Sequence, residues 1–108
     1  MRTAVLIKWD GVTPEIYRSV KETVNWEGVV PRGAVFHVAM FDQEGIRTVD
    51  IWESDADFND FVAKRLLPGA QNQGVTGLPQ IELFPVYDMF EPAHASTFME
   101  TFSSNKKD

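Results

Sequence analysis

The spacing of apolar residues along the chain switches between strand and helix periods. Residues 3–9 (TAVLIKW) form a continuous β-prone run that closes on Asp10-Gly11, a turn dipeptide. Thr13-Pro14-Glu15 then has the order of a helix start: Thr as N-cap, Pro at the first helical position, Glu against the helix dipole. Ile16, Tyr17, Val20 and Val24 share one helical face, with Gly28 as the expected C-cap and a loop around Pro31 and Gly33. A strand is expected from Ala34 to Phe41, a turn at Asp42–Gly45 and a second strand from Ile46 to Trp52. Ser54 caps a second helix, with Asp55 and Asp57 in its first turn. Its stripe is Phe58, Phe61, Val62, Leu66 and Leu67, and Pro68-Gly69 should break or kink it before it resumes briefly through Gln73. After a loop at 74–79, the last strand is expected over Gln80–Tyr87, and Pro85 places it on a sheet edge.

The order β-α-β-β-α-β with right-handed crossovers predicts an α+β fold: a ferredoxin-like antiparallel sheet with both helices on one face. Residues 1–92 make the domain, and 93–108 read as a partly disordered tail, although Phe98 and Phe102 are too apolar for a fully solvated end.

With a four-residue loop, Phe41 and Ile46 are the last facing pair of the hairpin. His37 then falls opposite Asp50, on the same side as Thr48 and Trp52. A three-residue loop would set His37 against Ile51, and a two-residue loop would leave the His–Asp pair diagonal. One hairpin face is Ala34, Phe36, Val38 and Met40 with Arg47, Val49 and Ile51. It is nearly all apolar and is expected to pack on the helices, with Arg47 reaching out to solvent. The other carries Val35, His37, Ala39 and Phe41 with Ile46, Thr48, Asp50 and Trp52. The first strand is apolar on both sides as well, and two short helices cover only one face. A second copy of the chain is the economical cover for the other.

The chain has 108 residues, enough for one modest core. Its net charge of -6 argues against nucleic acid and anionic membranes as partners. The absence of cysteine excludes disulfides, thiol nucleophiles and Cys-ligated metals. The apolar run Ala4–Ile7 is too short for a signal peptide or a membrane span, so a cytoplasmic location is expected. No phosphate-binding glycine loop or hydrolase motif is present.

The junction V49-D-I-W-E-S-D-A-D-F58, the H37-V-A triplet and the closing I81-E-L-F-P-V-Y87 strand resemble the dimeric α+β barrel superfamily. Within it, the chain is most similar to small proteins related to the antibiotic biosynthesis monooxygenase domain. The resemblance covers about residues 3–92. It implies a homodimer whose open sheet faces meet as a barrel, with a pocket between sheet and helices in each subunit. It also implies a range of activities, among them cofactor-free oxidation of polyketide aromatics and haem degradation. Haem-degrading relatives carry an Asn on the first strand and a His on the second helix. This chain has neither, so no haem and no other cofactor is expected. Of the polar residues near a Trp in the polyketide oxygenases, only Trp52 has a counterpart.

His37 and Asp50 are the candidate catalytic pair, His37 as base or proton donor and Asp50 as its orienter. The competing reading is a buried pair that fixes the hairpin register. Trp52, Thr48, Tyr17 and Phe41 are the candidate ligand-binding residues, against the plainer roles of core and rim. A metal site would require His37, Asp50 and the remote or partner-supplied His94, and none is expected. The expected ligand is an apolar, aromatic small molecule. Oxygen chemistry on it would depend on the substrate's own carbanion. The alternative is a non-catalytic dimeric module that binds a ligand or serves as a scaffold.

Overall fold

Thr13 and Ser54 start the helices as their side chains dictate. Thr13 Oγ1 accepts from the Ile16 N–H at 3.2 Å, and Ser54 Oγ accepts from the Asp57 N–H at 3.1 Å. In the computed structural model, which describes residues 1–92, the elements run β1 Thr3–Asp10, α1 Pro14–Val24, β2 Ala34–Phe41 and β3 Gly45–Trp52. α2 Asp55–Phe61, a π-helical segment Val62–Leu66, α3 Leu67–Asn72 and β4 Gln80–Pro85 follow. The sheet is antiparallel with order β2-β3-β1-β4, the ferredoxin-like arrangement expected from the sequence. β4 lies at an edge, where Pro85 costs no ladder bond. It stops there, two residues short of Tyr87. The tail beyond residue 92, with His94, Phe98 and Phe102, lies outside the described residues.

The helix ends depart from expectation in informative ways. α1 is closed by Asn25 in the left-handed region (φ 57°), whose N–H returns to Lys21 O. Asn tolerates that conformation nearly as glycine does, so the helix ends three residues before Gly28. The α-helix is interrupted just ahead of Pro68 and resumes as α3 to Asn72, as expected. The turn before the proline widens, so that the Leu67 N–H reaches back to Val62 O, five residues away. The wider turn accommodates a residue with no N–H to donate. Gly69 then lets α3 approach α1, since a Cβ there would collide with Val24.

The hairpin register is the expected one: Phe41 faces Ile46 and His37 faces Asp50. Asp42 Oδ1 holds the turn by accepting from the N–H groups of Glu44 (2.7 Å) and Gly45 (3.1 Å). A bulge at Val35 shifts the pairing, so Ala34 lies opposite Trp52 rather than on the face of Phe36.

The faces are the reverse of the sequence assignment. Val5, Ile7 and Trp9 of β1 and Ile46, Thr48, Asp50 and Trp52 of β3 are buried beneath the helices. Phe36, Val38 and Met40 of β2, with Leu6 and Phe84, are instead exposed on the open face. Arg47 is also on that side and pairs with Asp42 at 2.8 Å. The assignment failed because it gave the more uniformly apolar face to the helices. In fact the helix side holds the hydrogen-bonded His37, Asp50 and Trp52 among its apolar residues, and the uniform face is the uncovered one.

Two joined clusters make the core. Trp52, Phe58 and Phe61 sit with Val5 and Ile7; Trp9, Val12, Val20 and Ile46 sit with Ala70. Thr3 Oγ1 donates to Asp55 and ties the first strand to α2. Among the described residues, no helix is long and apolar enough to cross a membrane.

Candidate functional site

Strand alternation puts Thr48, Asp50 and Trp52 on one face of β3, and the β2 register sets His37 beside Asp50. The Asp50 side chain is 8% exposed and that of His37 is 34% exposed. The carboxylate is fully engaged: Oδ1 accepts from His37 Nδ1 at 2.6 Å, and Oδ2 accepts from Trp52 Nε1 at 3.2 Å. A buried carboxylate held by two donors is a stable hydrogen-bond anchor.

That anchor sets the imidazole. With Nδ1–H directed to Asp50, the neutral ring presents its lone pair at Nε2. Tyr17 Oη on α1 lies 3.0 Å from Nε2 and donates to it in this tautomer. Burial first, then the Asp50 and Glu27 carboxylates, push the Tyr17 pKa up, so the phenol keeps its proton. A continuous chain results, from Tyr17 O–H to His37 to Asp50 to the Trp52 indole. The Nε2 atom thus already has a partner within the protein, rather than facing an open pocket as the sequence suggested.

This chain runs along the wall of a cavity of about 330 Å³ between the sheet and the helices. His37, Asp50, Thr48, Trp52 and Tyr17 line it, together with the indoles of Trp9 and Trp26. The wall is otherwise mainly aliphatic and aromatic. Phe41 is not part of it; its ring packs edge-on against Tyr17, with centroids 5.9 Å apart. Trp26, which the sequence reading did not single out, packs edge-on to His37 at 5.6 Å. The sequence held no signal for it: the expected helix ran on to a cap at Gly28, and Trp26 falls off the face of Ile16, Tyr17, Val20 and Val24.

The mouth lies along the loop after α1 and the edge strand β2. Val30 lines the cavity yet is 68% exposed. Arg65 of the π-helical segment holds this loop through one nitrogen, Nη2, which donates to Val24 O (2.9 Å) and Val29 O (2.8 Å). Among the described residues, no group of three or more His, Asp or Glu is placed to hold a metal ion.

No family model matches the chain, and no curated protein matches it. Solved structures do. The chain is similar to SnoaB, a cofactor-independent oxygenase from Streptomyces nogalater, at 17% identity and a TM-score of 0.59, over 82% of this chain and 95% of that one. It is similar to the ActVA-Orf6 monooxygenase of Streptomyces coelicolor, solved with nanaomycin D, at 14% identity and a TM-score of 0.52, over 84% and 91%. A Nitrosomonas europaea protein of unknown function aligns at 13% identity and a TM-score of 0.62, over 84% and 94%. The chain therefore has the ferredoxin-like α+β fold of the antibiotic biosynthesis monooxygenase-like proteins.

Proposed function

We infer that the protein is a homodimeric small-molecule enzyme of the monooxygenase-like type, acting on an apolar aromatic substrate without a resident cofactor. The observation that carries this reading is the Tyr17–His37–Asp50 chain on the wall of an apolar cavity of about 330 Å³. That volume lies in the range of small-molecule sites, and a mainly apolar wall with a few convergent polar groups is their usual make-up. The oxygenases among the structural neighbours support the same class.

In this reading the substrate is a fused-ring phenol or ketone with an acidic C–H. Its proton passes to Tyr17 Oη while Tyr17 gives its own proton to His37 Nε2, so the phenol ends unchanged. Asp50 stabilises the imidazolium that forms. The substrate carbanion is the reductant and dioxygen the oxidant. A ring CH2 becomes C=O with one oxygen atom, and the other leaves as water with the two hydrogens. The apolar wall excludes bulk water that would quench the carbanion. The open face of Leu6, Phe36, Val38, Met40 and Phe84 is assigned to the second copy of the chain.

Anthrone oxidation, followed by oxygen uptake and quinone absorbance, tests the assignment. The expected result is turnover that falls about a hundredfold in His37→Ala. Oxygen uptake no faster than in buffer, with no heat of binding for any fused-ring phenol, would sink it.

A second reading has its own observation. Both ring nitrogens of His37 already have protein partners, as a purely structural histidine would. A binding module without catalysis would show saturable binding of aromatic ligands and no turnover.

A further inference from the structure

The charge around the cavity is one-sided. Two carboxylates line it, Asp50 in the sheet wall and Glu27 on the loop at the mouth. Among the described residues, no Lys or Arg lines it. His37 is its one basic side chain, and Nδ1 is held by Asp50. The cations of this region are engaged elsewhere. Arg65 directs Nη2 to the carbonyls of Val24 and Val29. Lys21 reaches Glu27 at 3.2 Å but is not part of the cavity wall. Burial comes first in raising the Tyr17 pKa, and Asp50 and Glu27 add to it, so the negative field of both carboxylates reaches the phenol in spite of Lys21.

An anionic ligand would lose its hydration in an apolar chamber and find no fixed cation there. It would also meet two charges of its own sign where water screens them less than in bulk. A neutral ligand bears neither cost. The acid–base chain can still support negative charge that forms after entry, because the proton leaving the substrate makes His37 the counter-ion. The net charge of -6 on the chain acts outside the mouth in the same sense.

We propose that the site admits fused-ring aromatics that are uncharged on entry and rejects their carboxylated analogues, with Glu27 enforcing the choice at the mouth. This rests on the reading of the cavity as a small-molecule site. A pocket built for an aromatic acid would set Arg or Lys against the carboxylate. Here selection works by repulsion, through what the wrong ligand meets.

Calorimetric titration at about pH 7 with alpha-naphthamide and alpha-naphthoate tests this, since the two match in shape and differ by one charge. Wild type should bind the amide at least about tenfold more tightly. Desolvation alone contributes part of that ratio, and variants isolate the part due to Glu27. Glu27→Gln should narrow the ratio, and Glu27→Lys should bring it close to one. The Glu27 side chain is 72% exposed, so both variants should keep the wild-type circular dichroism spectrum. Equal binding of the two probes by wild type overturns the charge selection and leaves the small-molecule reading standing. A preference for the amide that is the same in wild type and both variants overturns the role of Glu27. Failure of both probes and of alpha-naphthol to bind wild type overturns the small-molecule reading of the cavity as well.

Discussion

Trp52 lies two residues beyond Asp50 on the same strand, and its indole N–H occupies the carboxylate oxygen that His37 leaves free, at 3.2 Å. The indole is 3% exposed and packs against Phe58 and Phe61, with ring centroids 5.6 and 5.3 Å away. The core thereby fixes the carboxylate, and the carboxylate fixes the imidazole. Trp52→Phe should keep most of the packing but leave Oδ2 without a donor, at a cost of about 1–3 kcal/mol. Urea unfolding followed by circular dichroism measures this. A loss below about 0.5 kcal/mol would show that Oδ2 finds another donor.

His37→Ala separates the catalytic from the structural role. The His37 side chain is one-third exposed, so water reaches the carboxylate oxygen it vacates and the stability loss should be only about 1–2 kcal/mol. Ligand affinity or turnover should fall well beyond tenfold. A large stability loss with unchanged ligand affinity would identify the pair as a fixture of the hairpin.

Tyr17 gives a pH signature. Its folded pKa is raised above the ordinary value of 10.0, first by burial and then by Asp50 and Glu27. Above about pH 10 the unfolded chain loses this proton before the folded one, so stability falls as pH rises through that range. Below about pH 10 the group is protonated in both states and the contribution is constant. Tyr17→Phe should remove this part of the alkaline decline, measured as the melting temperature between neutral pH and about pH 11. Parallel curves for the two proteins would show that Tyr17 titrates as in water.

The uncovered sheet face predicts the oligomeric state. Phe36, on the edge strand of that face, is 53% exposed. A two-fold dimer should bury more than about 1,200 Å² in total. Sedimentation at micromolar concentration should give a dimer for wild type and a folded monomer for Val38→Glu, which puts a charge midway along the edge strand of the apolar face. A monomeric wild type would remove the argument for a second copy.

The His37–Asp50 pairing was legible because a four-residue turn leaves the hairpin a single register, and Asp42 closes that turn with its own side chain. The side of the sheet was not legible. Alternation gives two sets of residues but not which set meets the helices, and the bulge at Val35 moves Ala34 across. A search for the more apolar set was misled, because the uncovered face is as apolar as a core. Asp50 and Thr48 looked outward by polarity, yet they are buried. The contributions of Tyr17 and Trp26 depend on how α1 lies across the sheet, which no local pattern encodes. Tyr17 could be named from its helical face, whereas Trp26 lies beyond the helix in a turn.

The π-helical segment decides what the second half of that helical run presents. In an unbroken α-helix the stripe of Phe58 and Phe61 would continue to Arg65 and then Gly69. The extra residue in the turn advances everything after it by about 100°. Leu66 and Ala70 take the cavity-lining positions, and the guanidinium swings clear, over the Phe61 ring and onto the carbonyls after α1. The run is thus composed in two phases, and Val62–Leu66 is the change of phase between them. Winding Val62–Leu66 as a regular α-helical turn, with no residue removed, would deliver a cation to the wall of an apolar chamber and, by the same stroke, cut the tether on the loop at its mouth.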